Sequence, residues 1–308
     1  MSQQRLAIVT EDRYEAPGQT GWYEANIELE DNLLREALEG RNFSVDRISW
    51  SRSNHDWGQY DCAVIRSTWD YFDRFAEFCR WFEQTSQETQ IVNDPSIIRW
   101  NLDKRYLLEL ARAEVPIVPT TLLEKGRDFQ LAPWIEANGE GIIKPTVSGG
   151  ARHTYRLTNQ NIETVQKTFS ALIQQESFLL QPFIPEITSI GEVSFIVLGG
   201  RFSHAVRKVP KAGDFRVQDD FGGTVEPYTP IDDDLSFAET TVSRCSTLHN
   251  GKTPAYARVD AVKTETQRGP EWLLMELELI EPELWLRTNA DSKNKLADAV
   301  VQALGANK

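Results

Sequence analysis

Lys144 closes the apolar run Ile142-Ile143-Lys144-Pro145, and Thr146-Val147-Ser148-Gly149-Gly150-Ala151 follows it. An ammonium at the end of a buried strand needs an anionic partner. A Ser-Gly-Gly loop presents successive backbone amides to an anion. Together they describe a phosphate cradle, and the absence of G-x-x-x-x-G-K-[ST] shows that it is not a P-loop. An ordinary strand-end lysine beside a hairpin turn would have the same sequence.

A second group is acidic. Glu276 and Glu278 lie in Leu273-Leu274-Met275-Glu276-Leu277-Glu278-Leu279, and Asp260 lies in Tyr256-Ala257-Arg258-Val259-Asp260-Ala261-Val262. Strand side chains alternate, so Glu276 and Glu278 share one face, as do Arg258 and Asp260. Carboxylates on one face of an apolar strand require compensation. A divalent cation with phosphate oxygens supplies it; so does solvent, with Arg258 as an ion-pair partner. A third group, residues 201–216, carries Arg207, Lys208, Lys211 and Arg216 and runs on to Asp219-Asp220-Phe221-Gly222-Gly223-Thr224. A glycine-flanked basic loop of this kind can close over an anion, or can simply be an exposed hairpin.

The elements that must position these groups follow from hydrophobic periodicity. Residues 5–10, 43–50, 61–66 and 91–93 read as strands. Residues 28–38 and the Phe75, Phe78, Cys79, Phe82 stripe read as helices. That β-α-β order predicts a doubly wound domain. After Asp94-Pro95, residues 97–113 read as one helix with Trp100, Leu107, Leu108, Leu110 and Ala111 inward. Strands at 141–145, 154–157 and 178–181 and a helix at 161–175 complete a small α+β lobe. The remainder is strand-rich: a hairpin of 193–198 and 202–206 about Gly199-Gly200, then 256–262 and 272–279. Helices are expected within 231–248 and over 291–304. The division expected is residues 1–94, 95–182 and 183–308, as befits 308 residues, too many for one core.

Composition narrows the function classes. Hydrophobic residues make up 40% and charged residues 26%, the balance of a folded globular chain. The net charge of -13 argues against nucleic acid or an anionic membrane as partner. No apolar run spans a bilayer, and Met1-Ser2-Gln3-Gln4-Arg5 turns polar too soon for a signal peptide, so a cytoplasmic location is expected. Three scattered cysteines and four isolated histidines offer no metal-ligand spacing.

In this order, the groups make residues 93–289 resemble an ATP-grasp protein, similar to the glutathione synthetase, ribosomal-protein glutamate ligase and D-alanine–D-alanine ligase branches. The fold implied is α/β, with an N-terminal doubly wound domain before the ATP-grasp lobes. The resemblance implies ATP and Mg²⁺ as cofactors. By the Asn101-Leu102-Asp103-Lys104 match, Lys104 and Lys144 are the nucleotide-phosphate lysines, and Ser148, Gly149 and Gly150 form the lid. Leu180-Gln181-Pro182-Phe183-Ile184 resembles the hinge that holds adenine, which assigns Gln181, Phe183 and Ile184. Glu192 matches the acidic position near the ribose, and Arg207 a phosphate-facing basic position. Gly213-Asp214-Phe215-Arg216 and Gly222-Gly223 resemble the loop over the acceptor. Ala257-Arg258-Val259-Asp260 looks like the strand whose Arg steadies the tetrahedral intermediate and whose Asp binds metal. Glu276-Leu277-Glu278 resembles the E-x-N metal motif, with Glu replacing Asn. Ile280-Glu281-Pro282-Glu283-Leu284-Trp285 departs from the usual proline-glycine continuation, which shapes the acceptor pocket.

The reaction so implied converts a carboxylate to an acyl phosphate, which an amine then attacks. The substrates would be small and amino-acid-like, and a dimer is expected from the family. Arg66, Ser67 and Thr68, ending an apolar strand, are placed where open α/β sheets bind ligands. Arg66 would take a substrate carboxylate and Trp69 and Tyr71 would form a wall, with residues 11–23 contributing. Alternatively the loop packs against the next lobe. Arg66-Ser67-Thr68-Trp69-Asp70-Tyr71 also resembles the branch containing the cycloserine-forming cyclo-ligase, so intramolecular ring closure is a rival reading. A nucleotide-binding regulator without turnover, or an interaction module without nucleotide, are rivals of a different class.

Overall fold

The runs Leu6-Ala7-Ile8-Val9 and Cys62-Ala63-Val64-Ile65 are wholly buried, which demands cover on both faces of the sheet they enter. In the computed structural model, which describes residues 3–16, 21–217, 222–266 and 269–306, helices provide that cover. The first unit runs β1 (Gln4–Thr10), α1 (Asp12–Glu15), α2 (Trp22–Glu39), β2 (Phe43–Ser49), β3 (Cys62–Ser67), α3 (Phe75–Glu88) and β4 (Gln90–Val92). Its strands are parallel in the order β2-β1-β3-β4. Order reverses between β1 and β3, so their carboxyl ends open a crevice there. Asn93 ties the exit of this sheet to the rest: its amide donates to the Tyr256 and Leu279 carbonyls at 2.9 Å each and accepts from the Ala255 N–H.

The helix expected over 97–113 is two helices, α4 (Pro95–Asn101) and α5 (Tyr106–Arg112). Between them the Lys104 N–H leaves the helical ladder and donates to the Thr146 carbonyl at 2.7 Å. The break rotates the second helix, so Tyr106 is buried and Ala111, expected inward, is exposed. Next come β5 (Thr121–Leu123), α6 (Leu131–Asn138), β6 (Gly141–Pro145), β7 (Tyr155–Leu157), α7 (Ile162–Leu172) and β8 (Phe178–Pro182). Their antiparallel sheet, β5-β8-β6-β7, has its own core of Ile143, Leu157, Phe169, Phe178 and Leu180 under α6 and α7.

The last sheet is antiparallel, in the order β11-β10-β9-β12-β13. It is built from β9 (Glu192–Leu198), β10 (Arg201–Val209), β11 (Thr224–Tyr228), β12 (Tyr256–Thr266) and β13 (Gly269–Glu278), with α8 (Glu186–Ser189), α9 (Asp232–Leu248) and α10 (Ser292–Ala306) around it. Ile196, Leu198, Tyr256 and Trp285 share one continuous core with Leu6, Ile8 and Val64 of the first sheet and with α10. That shared core holds the two sheets in fixed relation. Among the described residues, no helix is long and apolar enough to cross a membrane.

Candidate active site

β12 and β13 pair with Arg258 opposite Glu278 and Asp260 opposite Glu276. Alternation therefore puts all four side chains on one face, as their spacing requires. β9 adds Glu192 and Ser194 to that face, Ser194 lying opposite Asp260. The face forms the floor of a cavity of about 420 Å³, with Lys104, Lys144 and the 148–151 lid lining its other walls.

Each floor carboxylate meets a cation. Arg258 bonds Asp260 at 2.9 Å and also pairs with Glu278. Lys208 pairs with Glu192 and lies 3.5 Å from Asp260 Oδ1, which also accepts from the Ser194 hydroxyl. Lys104 Nζ lies 3.0 Å from Glu276 and donates to the Ser148 carbonyl, which ties the lid to the floor. Burial works against the charge of Glu276, but Lys104 and Lys144 outweigh it and hold the carboxyl below its ordinary range. Burial likewise opposes the charge of Asp260, and Arg258 and Lys208 overcome it. At Glu278, burial with Glu276 and Asp260 alongside prevails over Arg258 and pushes the carboxyl up to about 7.

Lys144 differs. It lines the cavity, and among the described residues no carboxylate lies within ion-pair distance of it. Burial lowers its pKa, against the pull of Glu276. An ammonium left so is suited to an anionic ligand. Beside it Gly149 approaches Phe72 closely: a Cβ there would lie 2.5 Å from Phe72 Cε1, so a larger residue would require the ring or the loop to shift.

Among the described residues, no three His, Cys, Asp or Glu side chains are gathered tightly enough to hold an ion unaided. The donor chemistry still fits Mg²⁺. The ion typically takes one or two carboxylates and completes its shell with phosphate and water, and Asp260, Glu276 and Glu278 offer hard oxygens in the cavity that Lys144 also lines.

The structure also brings Gln181, Phe183 and Ile184 to the cavity, along with Ser148, Gly150 and Arg216. Gln181 donates to the Thr120 hydroxyl at 2.8 Å, and Arg156 covers the Phe183 ring at 3.8 Å. Arg216 is held by Asp214 at 2.7 Å.

Arg207, expected to face phosphate, is not in the lining. It pairs with Glu226 on β11 at 2.8 Å, and strand alternation sends its neighbour Lys208 to the floor instead. Arg66, Ser67 and Thr68 are buried outside the lining. Arg66 Nη1 donates to the Pro282 carbonyl at 3.0 Å and the Ser67 hydroxyl bonds Thr10, so here the loop serves the packing between units. Tyr71 is buried in the first unit, and Phe72 takes the wall position with Trp69. Gly222 and Gly223 also lie outside the lining, and residues 218–221 before them, like residues 17–20, lie outside the described residues.

Sequence reasoning missed Glu281 and Trp285, which line the cavity from the segment after β13. Their signal was the departure from the usual continuation. It also named residues 11–23 only as a stretch, of which Arg13, Tyr14 and Tyr23 reach the lining. Burial and Glu278 push the Glu281 carboxyl up to about 8.

Comparison with known proteins agrees with this architecture. Residues 6–93 match the D-cycloserine synthetase DcsG N-terminal domain, and residues 108–248 match the ATP-grasp domain of prokaryotic glutathione synthetase. The cycloserine biosynthesis protein DcsG of Streptomyces lavendulae is 30% identical over 290 residues, 88% of this chain and 92% of that protein. The crystal structure of D-cycloserine synthetase DcsG superposes with a TM-score of 0.84 at 26% identity, covering 97% of this chain and 99% of the other. D-alanine–D-alanine ligase from Bacillus anthracis shares the fold, with a TM-score of 0.64 at 14% identity over 98% and 97% of the two chains. The chain belongs to the ATP-grasp carboxylate-amine ligases, enzymes that join a carboxylate to an amine at the expense of ATP.

Proposed function

We propose that this cavity is the ligase active site and that its substrates are ATP and a small amino acid or amino-acid derivative. The observation that carries the reading is the shared face of Arg258, Asp260, Glu276 and Glu278 beneath the unpaired ammonium of Lys144. The DcsG relative, named for cycloserine and similar along nearly its whole length, supports a substrate of amino-acid size. In this reading residues 1–94 supply the substrate side, 95–182 the lid lobe and 183–308 the metal face.

Phosphoryl transfer is chiefly a matter of positioning and charge neutralisation. Lys104 and Lys144 hold the nucleotide phosphates, and Gln181, Phe183 and Ile184 line the base end. Asp260, Glu276 and Glu278 would hold Mg²⁺, which when bound draws the phosphate oxygens together and offsets their charge. Arg258, fixed between two carboxylates, presents its guanidinium to the oxyanion that develops when the amine attacks the acyl carbon. The Ser148-Gly149-Gly150 lid, tied down through Lys104, keeps water from the acyl phosphate.

The test is Mg²⁺-dependent release of ADP and phosphate from ATP with pooled amino acids and dipeptides. Release is expected to require an added substrate and to vanish in Lys144→Ala and Glu276→Ala. Release of AMP and pyrophosphate would overturn the acyl-phosphate route. Absence of Mg-ATP binding would overturn the site.

A further inference from the structure

The segment after β13 is clamped in place. The Ile280 carbonyl accepts from the Tyr256 hydroxyl at 2.9 Å, the Glu281 carbonyl from Trp69 Nε1 at 2.9 Å, and the Pro282 carbonyl from Arg66 at 3.0 Å. Three donors from two elements thus fix the backbone on either side of Glu281, whose side chain lines the cavity. Such a clamp leaves the carboxylate little freedom to turn elsewhere.

The charges around it are uneven. Glu276 has Lys104, Glu192 has Lys208, Asp260 has both Arg258 and Lys208, Glu278 has Arg258, and Glu283 has Arg287 at 2.8 Å. Among the described residues, no cation lies within ion-pair distance of Glu281. Ionising a half-buried carboxyl without a cation nearby is costly, and a cationic ligand would offset that cost. The same cavity is lined by rings: Trp69, whose Nε1 bonds the Glu281 backbone carbonyl, has Tyr14 and Tyr23 at 5.9 and 6.0 Å, and Arg13 already lies over the Tyr14 ring at 5.2 Å. Ring faces attract cations, most strongly once they are out of water.

We infer that Glu281, with Trp69 beside it, is the recognition site for a substrate ammonium group that does not itself react. The inference rests on the ligase reading of the cavity and adds what the carboxyl-donating substrate must carry. A carboxylate holds an amine in its protonated form, and a protonated amine has no lone pair with which to attack. The nitrogen at Glu281 is therefore not the nucleophile. It is the retained ammonium of a 2-amino acid whose carboxylate is activated toward Arg258. Glu281 acts as a binding and positioning group.

The experiment compares ADP release with pooled 2-amino acids of both configurations and with the matching 2-hydroxy acids, hydroxylamine being present in both as the common amine acceptor, for the full chain and for Glu281→Gln. Binding of magnesium and a non-hydrolysable ATP analogue is measured in parallel. The unaltered protein is expected to prefer amino over hydroxy acids by at least about tenfold, the value of one charge-assisted contact. Glu281→Gln should raise the KM for the amino acid by a similar factor, leave kcat within about threefold and leave nucleotide binding unchanged. Glu281→Asp, which keeps the charge, should recover part of the loss. An unaltered KM in Glu281→Gln would overturn the inference. So would a fall in kcat at constant KM, which would make Glu281 a proton-transfer group. So would a protein that binds the nucleotide yet shows no preference for 2-amino acids. Loss of nucleotide binding in the unaltered protein would instead take the ligase site away, and this inference with it.

Discussion

On the floor formed by β9, β10, β12 and β13, each carboxylate is matched by a lysine or arginine before any ligand arrives, whereas just beyond the end of β13 Glu281 lines the same cavity with no cation within ion-pair distance among the described residues. The floor is part of a sheet, and its charges can be gathered there only if they neutralise one another. The segment after β13 is loop, held by carbonyls that accept from Trp69 and Arg66, so the Glu281 side chain can serve recognition in the proposed reading. The difference separates chemistry that a family shares from the contacts that choose a substrate. It also sets an order of expected effects: breaking a matched floor charge should damage fold and turnover together, and removing an unmatched group should damage binding alone.

Arg258→Met is the largest test. It leaves Asp260 and Glu278 facing each other without their guanidinium, and breaking a buried pair from one side costs about 3–5 kcal/mol. Denaturant unfolding should register that loss, and turnover should fall by at least about a hundredfold, as on removal of a donor to a developing oxyanion. An unchanged unfolding midpoint would show that the floor does not depend on its cation.

Lys144→Met should do the reverse. No ion pair is lost and an ammonium that burial disfavours is removed, so the unfolding midpoint should not fall, while affinity for a magnesium–ATP analogue should fall by at least about tenfold. Calorimetric titration beside a thermal melt separates the two. A large melting shift with affinity intact would place Lys144 with the matched charges and erase the contrast.

The floor was the most legible part of the sequence. Period-two alternation alone put Glu276 with Glu278 and Arg258 with Asp260, because a strand leaves no other choice. Lys104 was reached through a motif, while periodicity read straight through it as helix. The local pattern does not show that its N–H is wanted by Thr146, forty-two residues further on. Arg207 and Lys208 are adjacent bases, and the β9–β10 register shifts between Phe202 and His204, so parity counted from the hairpin turn does not tell which one faces inward. Arg66 had the residue type of a carboxylate binder at the right end of a strand, but its guanidinium donates to the Pro282 carbonyl, a contact that spans over 200 residues. Glu281 showed itself only as a departure from a pattern.

Gly149→Ala probes how closely the lid approaches the first unit. The added Cβ would sit 2.5 Å from Phe72 Cε1, so ring or lid must move. Overpacking of this kind costs about 1–3 kcal/mol, and here the cost falls on the closed lid. Turnover should drop by about tenfold as that closed population shrinks. Phe72→Leu in the same chain should restore most of it, since two residues in contact do not add independently. Failure of that rescue would mean that the lid is held by Lys104 alone.

The smallest effect belongs to Arg207→Gln. Its guanidinium pairs with Glu226 on the outer side of β10, where an exposed pair contributes about 0–1 kcal/mol. Turnover and magnesium–ATP affinity should therefore stay within about twofold. Lys208→Gln, one residue away, strips Glu192 and Asp260 of a cation and should behave like Arg258→Met. The pair of variants tests whether the face of the strand, rather than the kind of base, decides which residue serves the site. If Arg207→Gln lost nucleotide and Lys208→Gln kept it, β10 would present its other face to the ligand, and the floor would have to be redrawn from Arg207.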